Sequence, residues 1–444
     1  MKNNKSKILF TGQIELQSPL LIGCGNNENS DIDVLLDSNG NPFIPATSFI
    51  GVIRDFIKLQ DNKLDVYFGT DSNVENSSQS SIKCSNLVLA DNSAPKIVVR
   101  DGIRINSKTG LVNDKAKYDF EVVERQTKFE MKLVADVDDG KKDDIQRLFS
   151  FIISGLENSV ITLGAKTNSG LGEVKLINYK VTEYNFSNKK DVYNWLKNDG
   201  GNKIQLPKVE LKNNFDFEMN VRLKLRNSLI VKSYPGSPEL PDAVNITSNG
   251  DFVLPGTSIK GAVRARIERI LNTIKEEHSE KIISNLFGNV DTNNKNSKAI
   301  KGRIKIREEI LPGFIAELQS RIKIDRFTGG TINGALFDSM PLFDDTIDMN
   351  EKNVLINIEV KDCQDYEAGI LMLVLKDFWT GDLAIGGEKN IGRGVFDGVS
   401  AEIKYDNKVF SVPKDINTIS KELKAEMQKF VDELVVYSGG EDGK

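Results

Sequence analysis

The chain has 444 residues, past the size at which one hydrophobic core stops growing, so two domains of ordinary size are expected. Apolar residues make up 39% and charged residues 28%, which argues against a disordered chain, and no apolar run approaches the roughly 20 residues of a membrane span. A net charge of -5 argues against a free-standing nucleic-acid binder, and with a single histidine, His278, paired-histidine and Ser-His-Asp chemistry need residues that this chain barely has.

An alternating strand opens the chain (Ile8, Phe10, Ile14, Leu16). Nothing apolar follows Met1–Lys7 in the manner of a secretory signal, so a cytoplasmic location is expected. Cys24, Cys84 and Cys363 lie far apart with no Cys-x-x-Cys, which fits a reducing compartment and not a disulfide or zinc framework. A polar loop, Asn29-Ser-Asp31-Ile-Asp33-Val34, leads to Pro45-Ala-Thr47-Ser48, a helix start with Thr47 and Ser48 as cap candidates and Arg54 on the same stripe. A Thr-Gly turn follows in Ile103–Gly110, then a strand (Phe129, Met131, Leu133), a helix over Asp144–Leu156, the glycine-rich block Leu163–Gly172 and a closing strand. Residues 186–214, rich in Asn, Lys, Asp and Gly, read as a linker with a short helix around Tyr193–Leu196.

The same order then begins again. Asn41–Arg54 aligns with Asp251–Arg264 at an offset of 210, and Phe68-Gly69 with Phe287-Gly288 at 219. Ile103–Gly110 aligns with Ile322–Gly329 at 219, and Leu163–Gly172 with Ile385–Gly394 at 222. Four blocks in one order, with slowly drifting offsets, indicate a tandem duplication. The second copy adds its own strands (Phe217–Leu225; Val354, Ile356, Ile358), a helix start with Thr257 and Ser258 as cap candidates, and a helix over Tyr366–Trp379. A helical tail runs from Ile416 to Leu434. The plan is therefore a first domain over 1–185, a linker over 186–214, a second domain over 215–412 and a tail over 413–444. Each copy has the order β-α-β-β-α-β, an α+β, ferredoxin-like (RRM-like) fold with a long hairpin elaboration.

Several residue patterns bear on chemistry. A helix N-terminus offers unpaired N–H groups, and with Arg54, or Lys260 and Arg264, one turn in, each Pro-x-Thr-Ser start reads either as a phosphate cradle or as a capped helix with solvated cations. The glycine blocks follow a helix and precede a strand, the reverse of a P-loop, so nucleotide hydrolysis is disfavoured. Their glycines, with Lys166 and Asn168, and with Lys389, Asn390 and Arg393, suit phosphate wrapping; the alternative is a tight connection against the sheet. Between Asp251 and Gly330 fifteen basic residues face ten acidic ones. Lys301, Arg303, Lys305 and Arg307 alternate there, and Arg321, Lys323 and Arg326 follow, which favours a polyanion groove over a solvated strand face. Asp31 and Asp33 precede the cradle helix. A carboxylate there can hold a magnesium ion that keeps most of its waters, or can be no more than an Asx turn.

Ile44-Pro-Ala-Thr-Ser-Phe-Ile-Gly-Val-Ile-Arg54 and Leu254-Pro-Gly-Thr-Ser-Ile-Lys-Gly-Ala-Val-Arg264 resemble the Ile-Pro-Gly-Ser-Ser-Leu-Lys-Gly-x-x-Arg signature of the RAMP superfamily of CRISPR proteins. The glycine blocks are similar to that superfamily's glycine loop. Ile324–Gly329 with Gly334-Ala-Leu-Phe337 resembles the thumb hairpin of Cas-seven-type backbone subunits of type III effectors, and Ile105–Gly110 matches it more weakly. Two such domains in one chain resemble the fused backbone subunits of the type III-D and III-E branch. The resemblance implies two RAMP domains, each clamping CRISPR RNA, with thumbs that splay the guide–target duplex. In catalytic members an aspartate three residues before a valine and upstream of the helix start cuts target RNA with Mg2+ or another divalent metal. Asp31, Val34 and Pro45 fit that pattern; in the second copy Pro241 stands at the aspartate's place and Asp242 is one residue late. Ile50 stands where the family has the lysine that the second copy keeps as Lys260.

The expectation is a guide-RNA-binding subunit that cuts complementary target RNA through Asp31, with Asp33 as runner-up and a weaker or absent cut through Asp242. CRISPR RNA, target RNA and other type III effector subunits are the expected partners, and a membrane is not. The rivals are a scaffold without catalysis and a ferredoxin-like protein-binding adaptor without RNA.

Overall fold

The computed structural model describes residues 6–23, 30–70, 78–106, 109–138, 140–234, 239–274, 278–289, 299–344 and 352–439. Cys24 and most of the loop from Gly23 to Ser30 lie outside the described residues. The chain divides into two units: residues 1–100, 118–167 and 171–214 in one, and 101–117, 168–170 and 215–444 in the other.

In the first unit the strict alternation of strand β1 (Ser6–Leu16) buries Ile8, Phe10, Ile14 and Leu16 on one face. Helix α1 (Ala46–Gln60) repeats apolar residues at helical spacing, so Phe49, Ile53, Phe56 and Ile57 meet that face. Strand β2 (Ile82–Cys84) follows. A hairpin of β3 (Ile97–Ile105) and β4 (Val112–Val123), of which residues 101–117 count with the other unit, then leads to β5 (Lys128–Val137), α2 (Lys142–Glu157) and β6 (Val174–Asn185). The strands pair antiparallel in the order β2-β5-β1-β6, with α1 and α2 supplying the rest of the core. That is the ferredoxin-like order, in which each helix connects strands separated by one neighbour. Each fully buried Phe or Ile here contributes about 1.5–3 kcal/mol.

The stretch read as a linker is a folded part of this unit. Helix α3 (Lys189–Leu196) forms where the short helix is expected, and β7 (Asn202–Lys203) extends the sheet beside β6. Ile204, Leu206, Val209 and Leu211 then pack on the core, and buried Gln60 pins the end of this stretch by bonding both the N–H and the C=O of Lys212.

The second unit repeats the plan with β8 (Phe217–Leu225), α4 (Gly256–Thr273), α5 (Ser279–Phe287), β9 (Ile304–Ile306), a short hairpin of β10 (Gln319–Arg321) and β11 (Phe337–Ser339), β12 (Val354–Val360), α6 (Asp365–Thr380) and β13 (Phe396–Tyr405). Its sheet runs β9-β12-β8-β13, extended by β14 (Lys408–Pro413). The tail is integral. Helix α7 (Lys421–Gly439) lies against α6 so closely that a Cβ on Gly369 would sit 2.1 Å from the carbonyl oxygen of Phe430. Leu434 is buried there.

Candidate nucleic-acid interface

Each cradle helix begins two residues earlier than a cap at the Thr of its Thr-Ser pair would place it. Pro45 and Pro255 are the N-cap residues, and neither offers a side-chain cap, so Thr47, Ser48, Thr257 and Ser258 lie inside the first turn. Thr47, Ser48 and Thr257 are exposed and Ser258 is half-buried. The Ala46 N–H donates to Asn86 Oδ1 at 2.9 Å. In α1 the proline cap leaves the next amides, of Thr47 and Ser48, for an outside acceptor, which is the geometry an anion uses, whereas in α4 the Ser258 N–H already donates to Pro255 O at 3.0 Å.

The cations one turn in are less available than their spacing suggests. Arg54 donates from Nε to Asp65 Oδ1 at 2.5 Å and from Nη2 to Gly69 O at 3.0 Å, which ties α1 to the turn that follows it. Lys260 donates to the carbonyls of Asn168 (3.3 Å) and Ile304 (3.2 Å) within the second unit. Burial, and then the neighbouring Arg264, push its amine down to about 8. Arg264 bonds Glu268 at 3.1 Å and lies over the Phe287 ring. Asn168 donates to Gly302 O at 2.7 Å.

The alternating basic row is likewise spent internally, which corrects the groove reading for most of it. Arg303 bonds Glu367, buried at the start of α6, and the carbonyls of Lys361 and Asp362. Lys305 and Arg307 both face Glu359. Lys301, Lys323 and Arg326 are exposed.

The glycine loops close identically. Leu163 N–H donates to Gly172 O at 2.8 Å, and Ile385 N–H to Gly394 O at 2.9 Å. A Cβ on Gly172 or Gly394 would lie 1.8 Å from the carbonyl oxygen of Leu163 or Ile385, at a φ of +75° or +70°, so this closure demands glycine. Tight packing thus accounts for those glycines. At one matched position both loops use a left-handed non-glycine residue, Lys166 and Glu388, each at φ +56°. Lys166 Nζ sits 3.7 Å from the centre of the Phe120 ring and donates to Tyr118 Oη at 2.8 Å. Glu388 accepts from Lys232 (3.0 Å), Arg393 (3.0 Å) and Arg321. Burial alone would raise its carboxyl, but the bonds from Lys232 and Arg321 outweigh this and hold it below the usual range. Arg393, expected at the surface, is buried in this network, with Nη2 on Gln319 Oε1 at 2.6 Å; Lys389 and Asn390 remain exposed.

The aspartates show a correspondence the spacing hid. Asp31 is exposed, and its Oδ2 accepts the N–H of Asp119 at 3.0 Å; Asp242 is exposed, and its Oδ2 accepts the N–H of Asp338 at 2.9 Å. Next to these, Glu121 N–H donates to Ile32 O at 2.9 Å and Met340 N–H to Ala243 O at 2.9 Å. Asp242, not Pro241, is therefore the structural counterpart of Asp31, and the one-residue difference is taken up in the loop before each proline. Asp33 is buried and accepts Ser30 Oγ–H at 2.5 Å. That places the runner-up in the loop's own packing.

The family model of the RAMP superfamily matches residues 13–175 and 222–397. The chain belongs to the RAMP superfamily. Its two matched regions coincide with the two ferredoxin-like folds, so this is a tandem RAMP protein, and membership marks it as a CRISPR-associated RNA-binding subunit. Among curated proteins the sequence matches none.

In this RAMP protein the hairpin turns also correspond. Gly110 N–H donates to Asn106 O and Gly329 N–H to Asp325 O, and both glycines have a φ of +69°. In the second unit the turn presents Ile322, Ile324 and Leu336, each more than half exposed, and a fully exposed Phe327. Asp119 and Asp338 escaped the sequence reading. Their signal is an aromatic-Asp pair, Tyr118-Asp119 and Phe337-Asp338, repeated at the offset of the Thr-Gly turns.

Proposed function

We propose that this tandem RAMP protein is a guide-RNA-binding backbone subunit of a cytoplasmic type III CRISPR ribonucleoprotein, and that it cuts complementary target RNA through a loop aspartate. The observation that carries this reading is the repeated placement of an exposed aspartate, Asp31 and Asp242, against the base of a hairpin by the same main-chain bond. The net charge of -5, with most cations of the basic row already paired, supports work inside a complex of other effector subunits.

RNA binding falls to the first-turn amides of Thr47 and Ser48, to the hydroxyls of Thr257 and Ser258, and to the exposed Lys323, Arg326, Lys389 and Asn390. The exposed Phe327 suits stacking against a base at the hairpin tip. Arg54, Lys166, Asn168, Lys260 and Arg264 shape the surface through the bonds described above, and Arg393 acts from below it.

Asp31 fits a divalent ion of the magnesium type, because it is an exposed carboxylate and such an ion needs one or two carboxylates and its own waters. Asp31 would hold that ion, which supplies positive charge at the phosphodiester when bound. The chain's own part is positional. With one histidine available, no imidazole pair moves the proton, and the protein fixes the target backbone so that its own 2′-hydroxyl lies in line with the bond to be cut.

The test is co-expression with the neighbouring effector subunits and a guide. Retained guide RNA that is stripped progressively by salt, and a target cut that EDTA abolishes, are the expected results. Purified complex free of RNA, or cutting that persists in EDTA, would contradict the reading.

A further inference from the structure

The proposed cutting carboxylates are held by a second aspartate that comes from the hairpin. In the first unit the hold is reciprocal. Asp31 N–H donates to Asp119 Oδ1 at 3.0 Å, and Asp119 N–H donates to Asp31 Oδ2 at 3.0 Å. The first bond fixes the loop backbone at the residue that carries the carboxylate. The second engages one carboxylate oxygen and leaves Oδ1 as the oxygen that Asp119 does not use. Glu121 adds a third tie, since its Oε2 accepts Val34 N–H at 3.0 Å.

In the second unit only the main-chain half is present. Asp338 N–H donates to Asp242 Oδ2, while Asp338 Oδ1 is buried without a hydrogen-bond partner among the described residues. Backbone bonds from Ala243 to Asp338 O (3.2 Å) and from Met340 to Ala243 O (2.9 Å) hold the loop instead. The side-chain part of the clasp thus belongs to one copy.

We propose that Asp119 is a positioning residue that fixes the Asp31 carboxylate, and that Asp338 is its weaker counterpart for Asp242. This inference rests on the cutting role given to Asp31 above. A carboxylate on an exposed loop samples several rotamers, and holding both its main chain and one oxygen removes that freedom before substrate arrives. Residues that orient a ligating group from behind are worth about 10–100-fold in metal affinity or activity.

The design of the test follows from the two bonds. Asp119→Ala removes the acceptor for Asp31 N–H and leaves the Asp119 backbone bond, whereas Asp119→Asn keeps an oxygen at the same place. In the guide-loaded complex, three quantities are measured: the rate of the Asp31-dependent cut at saturating target, target affinity, and the Mn2+ binding that Asp31→Ala removes, followed by electron paramagnetic resonance. Asp119→Ala should slow the cut about 10–100-fold and weaken that Mn2+ binding to a similar degree, with target affinity unchanged. Asp119→Asn should restore most of both, and Asp338→Ala should affect the Asp242-dependent cut less than Asp119→Ala affects the first. Wild-type rate and Mn2+ binding in Asp119→Ala, or equal damage from Ala and Asn, would overturn the positioning role alone. Survival of every cut in Asp31→Ala would overturn the cutting role and this proposal with it.

Discussion

The two glycine loops are built on one backbone and filled with opposite chemistry. In the first unit Leu171 is buried with Leu21, Phe120 and Val122, and Lys166 lies over the Tyr118 and Phe120 rings. In the second, Arg393 takes the place of Leu171 and Glu388 that of Lys166, and the half-buried Lys232 and Arg321 complete an ionic cluster around the buried Arg393. Closure of the loop is thus a main-chain property, set by Gly172 and Gly394, while its filling was free to diverge. A small apolar core tolerates change better than an ionic one, because removing one partner from the latter leaves a charge stranded.

The largest expected effect falls on what the two loops share. Gly172→Ala and Gly394→Ala should each cost about 3–4 kcal/mol, since a methyl would collide with a carbonyl at a left-handed φ. Denaturant midpoints read this, and a loss in one unit only would break the equivalence. Next, Glu388→Gln should cost about 3 kcal/mol, against about 1 kcal/mol for Lys166→Ala, which loses contacts with the Tyr118 and Phe120 rings and one exposed hydrogen bond. The Glu388 carboxyl is held below its ordinary 4.5, so its contribution is full above that value and fades as pH falls through the lower folded value. The stability gap between wild type and Glu388→Gln should therefore narrow in acid, and a gap that widens would contradict the network.

Lys260 gives a smaller effect in the opposite pH range. Its amine titrates at about 8 in the fold and near 10.5 when unfolded, so between those values the unfolded chain binds the extra proton. Wild type should gain stability relative to Lys260→Met as pH rises through that window, measured by urea titration. The smallest effect concerns Gly51 and Gly261, matched positions in α1 and α4 where a Cβ would meet nothing within 4 Å. Each Gly→Ala change should stabilise its helix by about 0.5–1 kcal/mol. Guide-RNA retention in the same variants reports whether RNA approaches that open helix face.

Much of this was legible from the chain. Repeated blocks located both helix starts, both Thr-Gly turns and the strand order, because those features are set by local periodicity and by glycines at fixed places. Partners were not legible. Glu367 for Arg303 and Gln319 for Arg393 come from elements whose approach depends on packing, so spacing along one strand or loop promised free cations that the fold had already paired. The register of Asp242 was hidden because a one-residue loop difference is invisible until backbone bonds define equivalence. Residues 204–212 read as linker because the Asn, Lys, Asp and Gly of the preceding stretch dominate its composition, while the apolar Ile204, Leu206, Val209 and Leu211 find their surface only on the core of the first unit.

The most direct test of the account is to map cuts in one guide-matched target RNA with complexes carrying Asp31→Ala, Asp242→Ala or both. Structural equivalence predicts two metal-dependent positions, with Asp31→Ala erasing one, Asp242→Ala erasing the other and slower one, and the double variant erasing both while still binding target. Cutting at every wild-type position by the double variant would make this subunit a scaffold and place the nuclease in a partner.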